Sequence, residues 1–179
     1  MRQQICSNLR LKTLLSGITV KPLKRYPDER GSFSEIFRAD WKDLFGEDKI
    51  VQANLSISYP NIVRAWHKHE RGQTDYFVVL KGAIKICAYD DEGQELDEII
   101  STGENLQAVK VLGTYWHGFK AIGVEPAIIV YFTNRLYDYN NPDELRRPWN
   151  DPTIIPKKIN GSRDPRCGKP WDWFYLPYK

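Results

Sequence analysis

The sequence predicts an all-β protein, a sandwich or barrel of short strands, and two observations carry this. Strand-like runs recur at Val63–His69, Tyr76–Leu80, Ala83–Tyr89, Glu95–Ile100, Asn105–Val111 and Ala127–Thr133, separated by Gly or Asp clusters such as Lys81-Gly82 and Asp90 to Gly93. Many short strands at regular spacing, with turn signals between them, are the pattern of such folds. The second observation is what the chain lacks. It has no strand–helix alternation, no Gly-x-Gly-x-x-Gly and no P-loop, which argues against a nucleotide-dependent dehydrogenase or kinase.

A length of 179 residues fits one domain with short extensions. At 41% hydrophobic and 27% charged, the composition is that of an ordinary globular protein. The net charge of +3 is too small to argue for nucleic acid as a partner. It is uneven: from Arg146 onward there are eight Lys/Arg against three Asp. Cys6, Cys87 and Cys167 make an odd number with no Cys-x-x-Cys, so neither a disulfide framework nor a zinc ribbon is expected. The longest apolar run, Ala127–Phe132, is far short of the ~20 residues of a membrane span. The N-terminus has no basic segment leading into a long apolar stretch, so a cytoplasmic protein is expected.

In chain order, residues 1–20 suggest a short arm, with too few apolar positions to choose strand or helix. Asp28-Glu29-Arg30-Gly31 marks a turn. Phe33, Glu35 and Phe37 then share a face if extended, which makes Glu35 either a pocket carboxylate or a sheet-edge residue. Ala39–Phe45 suits a short helix with Trp41, Leu44 and Phe45 on one side. Val51–Ser58 alternates, with Val51, Ala53, Leu55 and Ile57 opposite Gln52, Asn54, Ser56 and Ser58. An uncharged polar face of that kind resembles a pocket lining more than a solvent face. After the long strands, seven prolines from Asn140 on break regular structure. The tail is expected to wrap the barrel as loops, with a short helix around Asp143–Arg147.

The chemistry centres on three histidines. His67 and His69 lie in one strand-like run and point the same way, and His117 lies in Gly-Thr-Tyr-Trp-His-Gly-Phe. Histidine titrates near neutral pH and is the commonest metal ligand.

Seven motifs stand in order: Asp28-Glu29-Arg30-Gly31-Ser32-Phe33-Ser34-Glu35-Ile36-Phe37, Gln52-Ala53-Asn54-Leu55-Ser56, Arg64-Ala65-Trp66-His67, Val79-Leu80-Lys81-Gly82, His117-Gly118-Phe119, Tyr131 with Tyr137, and Trp149-Asn150-Asp151-Pro152. Together they resemble the dTDP-4-dehydrorhamnose 3,5-epimerase family of the cupin superfamily, from about Gly17 to Pro156. The resemblance implies a cupin-type jelly-roll barrel with a few short helices and an irregular Pro-rich C-terminal tail. One domain would span 1–179, with its core at about 17–156, an arm at 1–16 and a tail at 157–179. It also implies a homodimer acting on a dTDP-linked 4-keto-6-deoxy sugar in deoxysugar or rhamnose synthesis. The family's base falls on His67 and its acid on Tyr131. Its substrate-binding residues fall on Arg30, Glu35, Gln52, Asn54, Arg64, His117, Tyr137 and Glu144. No cofactor and no metal are implied, because the C4 ketone is the electron sink. The aspartate that orients the family's histidine falls on Asp164 or Asp172.

Three departures stand out. Asp75 occupies the position of a family lysine that faces the growing enolate oxygen, and Ala65 replaces a glycine. His69 is the other novelty. With His67, Asp75 and His117 it approaches the three-histidine, one-carboxylate metal pattern of other cupins, in donors that suit Fe, Mn, Ni, Co or Zn. The alternatives to the epimerase are therefore a metal-dependent cupin on another small molecule, or a sugar-nucleotide-binding cupin without activity.

Overall fold

The computed structural model describes residues 14–176; the arm expected at 1–16 falls almost wholly outside them. The elements begin with β1 (Thr19–Pro22), β2 (Tyr26–Asp28), β3 (Gly31–Phe33) and the single-turn helix α1 (Lys42–Phe45). The long strands follow: β4 (Gln52–Ser58), β5 (Val63–Lys68), β6 (Thr74–Lys81), β7 (Ala83–Asp90), β8 (Glu95–Thr102), β9 (Gln107–Leu112), β10 (Trp116–Ile122) and β11 (Ala127–Thr133). Two short strands close the chain, β12 (Leu145–Arg146) and β13 (Lys158–Ile159).

These make a jelly roll of two facing sheets. One has the order β1-β9-β6-β11-β4 and the other β12-β5-β10-β7-β8-β13, while β2 and β3 form a separate hairpin. Within the two large sheets every pairing is antiparallel except β13 with β8. The expectation of an all-β barrel is met.

The central strands of both sheets are covered on both faces, which is why they read as apolar runs rather than alternating ones. Phe77 and Val79 of β6 face inward, onto Ile84, Ile86, Val109, Phe119 and Ile129. Tyr76 and Val78 face outward, under Leu44, Phe45 and Phe132. On the second sheet, Trp66, Cys87, Tyr89 and Trp116 are capped by Ile154, Trp171 and Trp173 of the tail. The tail is thus a lid on the outside of the barrel.

Two details differ from expectation. No helix forms around Asp143–Arg147; Leu145 and Arg146 pair instead with Lys68 and His67 as β12. Pro142 and Pro148 bracket the segment and disfavour helix, and the free edge of β5 offers unpaired backbone groups to satisfy. On β4 the polar face turns inward as expected. The apolar face is left bare: Val51, Leu55, Ile57 and Tyr59 are 48%, 66%, 52% and 70% exposed.

Candidate active site

Period-two alternation sets which side chains reach the barrel interior. On β6, Asp75 shares the inner face with Phe77 and Val79. On β11, Tyr131 shares it with Ala127 and Ile129, and Tyr131 stands opposite Phe77 on one side and Asn54 on the other. On β10, His117 shares it with Phe119 and Ala121.

Strand β5 needs a correction to its period. His67 pairs with His117, and Arg64 pairs with Phe119, so Ala65 and Trp66 stand opposite Gly118 alone. This is a β-bulge. Directly paired residues share a face, so the bulge turns both Arg64 and His67 inward although they are three residues apart. Gly118 is what allows it: a Cβ there would lie 2.4 Å from Ala65 Cβ and 2.5 Å from the Arg64 carbonyl oxygen.

Three imidazoles and one carboxylate converge as a result. Asp75 Oδ2 lies 3.0 Å from His117 Nε2, 3.7 Å from His69 Nε2 and 3.9 Å from His67 Nε2. The His67 and His117 rings are 4.1 Å apart between centroids. His117 donates Nδ1–H to the Tyr115 carbonyl at 2.8 Å, and His69 donates Nδ1–H to the Asp143 carbonyl. Asp143 also accepts the backbone N–H groups of Glu70 and Arg71 at 2.9 and 2.8 Å, which pins the turn after His69. Gln73 donates to Asp75 Oδ1 at 2.8 Å and lies 3.1 Å from His69 Nε2.

Burial and charge set the protonation of this cluster. Burial would raise the Asp75 carboxyl, but hydrogen bonds from His117, His67 and His69 hold it well below the usual carboxylate range. For His67, burial and then the neighbouring His117 outweigh the pull of Asp75 and bring it down to about 4. His67 is the free base at neutral pH. Burial opposes charge on His69 too, yet Asp75 and the Asp143 carbonyl overcome it and raise the group. Burial, then the charges of Asp75 and Glu144, push the Tyr131 phenol up, so it keeps its proton.

A cleft of 540 Å³ opens above the cluster, lined among others by Arg64, His67, Asp75, Tyr131, Tyr137 and Glu144. Of the residues expected at a site, His67, Tyr131, Arg64, Tyr137 and Glu144 are therefore brought together, with His117 buried just beneath. Gln52 and Asn54 form a second row behind Tyr131. Gln52 donates to Asn54 at 2.8 Å and accepts the Tyr137 N–H at 2.9 Å. Arg30 and Glu35 are elsewhere. Arg30 lies on the outer hairpin, paired with Asp28, and Glu35 is paired with Arg38 at 2.9 Å. Asp164 and Asp172 do not support His67 either. Asp164 is bound to Arg166, and Asp172 accepts the Phe174 N–H. The carboxylate beside His67 is Asp75. Gln73 and Asp143 escaped the sequence reading. Gln73 precedes Asp75 by two residues, which was a usable signal; Asp143, which is brought in from some seventy residues along the chain, left none.

Residues 26–145 match the polysaccharide biosynthesis C-terminal domain family. A Haloferax volcanii protein described as a probable low-salt glycan biosynthesis epimerase is 40% identical over 76% of this chain and 89% of its own length. The dTDP-4-dehydrorhamnose 3,5-epimerase of Methanothermobacter thermautotrophicus is 30% identical over 80% of each chain. Among solved structures, the Legionella pneumophila dTDP-6-deoxy-D-glucose-3,5-epimerase in complex with dTDP-4-keto-L-rhamnose superposes with a TM-score of 0.71. It is 27% identical, covering 80% of this chain and 79% of that one.

Proposed function

Since the chain belongs to the dTDP-4-dehydrorhamnose 3,5-epimerase family, we propose that it is an isomerase that inverts C3, C5 or both in a dTDP-linked 4-keto-6-deoxy sugar. The observation that carries this reading is the opposition of His67 and Tyr131, which reach one cleft from the two different sheets. A ketone at C4 acidifies the protons on its neighbouring carbons. His67 removes such a proton from one face of the sugar, and Tyr131 delivers one to the other face, which inverts the centre. Each inversion removes one proton and returns one, so no redox cofactor is required. Arg64, held by its Nε–H donation to Ser58 at 2.9 Å, suits a phosphate oxygen through its forked guanidinium. Tyr137 and Glu144 border the same cleft and suit the sugar or the base.

The same reading includes a homodimer working in the cytoplasm, where nucleotide sugars are made. The bare apolar stripe of β4 lies on an edge strand, and a second copy of the chain is the economical cover for it. A partner subunit would also give work to Arg30 and Glu35, which do not reach the cleft of their own chain.

Proton NMR of dTDP-4-keto-6-deoxyglucose in D2O tests the reaction. Loss of the C3 signal, the C5 signal or both is expected, and His67→Asn is expected to abolish it. Unchanged signals with the wild-type protein would refute the reading.

A further inference from the structure

Two of the three imidazoles are locked in one tautomer by the backbone. His69 and His117 each spend their Nδ1–H on a carbonyl, that of Asp143 and that of Tyr115. With Nδ1–H spent on a carbonyl, Nε2 is in each ring the nitrogen left to face the barrel interior. Both Nε2 atoms face one carboxylate oxygen, Asp75 Oδ2, at 3.7 and 3.0 Å. The Gln73 amide is consistent with this for His69, since its N–H lies 3.1 Å from Nε2. Among the described residues nothing donates a hydrogen to His117 Nε2. The three groups are 5%, 2% and 0% exposed for His69, Asp75 and His117, so water does not relieve the contact. Two imidazole nitrogens and a carboxylate oxygen meeting in a dry place offer one ligand atom each to a single cation.

We propose that His69, Asp75 and His117 bind one divalent first-row transition-metal ion, and that His67 stands outside this set as the base facing the cleft. Two imidazoles and a carboxylate suit Fe, Mn, Co, Ni or Zn. An Nδ1–H held by a carbonyl is the arrangement that orients a metal-binding histidine. Bonds of about 2.0–2.2 Å to each donor imply donor separations of roughly 3.0–3.6 Å, against the 3.0 and 3.7 Å found. All four donor atoms lie within 4.8 Å of one another. His67 differs from the other two histidines. It is the farthest from Asp75 at 3.9 Å, a fifth of its side chain is open, and among the described residues no carbonyl is hydrogen-bonded to its ring. The proposal departs from the expectation of no metal that the family resemblance carries. It stands without the epimerase reading, but its role rests on that reading. A bound cation would set positive charge beside the enolate oxygen, at the position where Asp75 stands in place of the family's lysine.

The test uses untagged protein, stripped with a chelator and titrated with Co2+, followed by the visible d–d absorption and by elemental analysis after desalting. One equivalent per chain is expected in the wild type. His69→Gln and His117→Gln are expected to weaken Co2+ binding at least a hundredfold while keeping the native far-ultraviolet spectrum. His67→Asn is expected to stay within tenfold of wild type. If the histidine variants fail to fold, the wild-type melting temperature still decides: a Co2+- or Zn2+-dependent rise supports the site. Less than a tenth of an equivalent of Co2+, Zn2+, Mn2+, Ni2+ or Fe2+ on the wild type, with no thermal shift, would overturn it. Loss of the metal in His67→Asn would overturn the exclusion of His67. Neither readout involves a sugar, so failure of the metal site and failure of the epimerase reading are separate results.

Discussion

His117 Nε2 and Asp75 Oδ2 meet at 3.0 Å across the barrel, one on each sheet, with both side chains out of contact with water. The contact ties β10 to β6 at the floor of the cleft. Removing one member leaves the other buried without its partner, which typically costs about 3–5 kcal/mol. His117→Ala and Asp75→Ala should each destabilise the metal-free protein by roughly that much. The double variant should cost less than the sum of the two, because the stranded partner is then gone. Urea denaturation of all four proteins measures the coupling, and strictly additive losses would show that the two groups do not interact.

Gly118 governs the shape of β5. A methyl group there meets Ala65 Cβ at 2.4 Å and the Arg64 carbonyl at 2.5 Å, and neither is the end of a flexible side chain. Gly118→Ala should push out the bulge that turns Arg64 and His67 inward. The expected outcome is a stability loss of about 1–3 kcal/mol and a fall in proton exchange at the sugar of tenfold or more. Wild-type exchange rates in this variant would mean that the bulge does not position the base.

Away from the site, Asp164 is held below the ordinary carboxylate value, first by its hydrogen bonds from Arg166. Arg166 in turn bonds Glu98 at 2.5 Å and lies over the Trp171 ring, so the network fastens the tail to β8. A depressed folded-state value means the contribution is complete above the unfolded value of about 4 and is lost as the pH falls through the folded value. Asp164→Asn should therefore cost about 1 kcal/mol at pH 7. The gap from wild type should close as the pH falls through that depressed folded value (melting temperature against pH reads it directly). A gap that persists at low pH would assign the effect to packing instead.

The exposed stripe of β4 makes the homodimer testable. Leu55, at 66% exposure, lies in the middle of it. Sedimentation should find a dimer for the wild type and a monomer for Leu55→Glu. An unchanged mass would place any interface elsewhere.

Much of this architecture was readable from residue order, because β6, β7, β10 and β11 carry their own apolar pattern. The residues proposed for the site were picked out by their motif positions, and the cleft does bring His67 on β5 and Tyr131 on β11 together. The parts that were not readable depend on partners far away in the chain. β12 is two residues whose strand state exists only because the edge of β5 is open beside them. The joint inward turn of Arg64 and His67 needs a bulge that simple alternation cannot reveal. Asp143 contributes to the His69 site from far along the chain, through its carbonyl on His69 and its carboxylate on the Glu70 and Arg71 N–H groups. The inward face of β4 followed from its composition, whereas the exposure of its apolar face did not, because an apolar strand face reads as core.

The central claim is that protons leave one face of the sugar through His67 and arrive on the other from Tyr131. Tyr131→Phe in D2O tests it most directly, by following deuterium content and configuration at C3 and C5 together. Removing a general acid typically costs 10²–10⁴-fold. The account predicts that deuterium still enters, with retention, because His67 can return what it removes, while inversion falls by about two orders of magnitude. Inversion at the wild-type rate in Tyr131→Phe would contradict it.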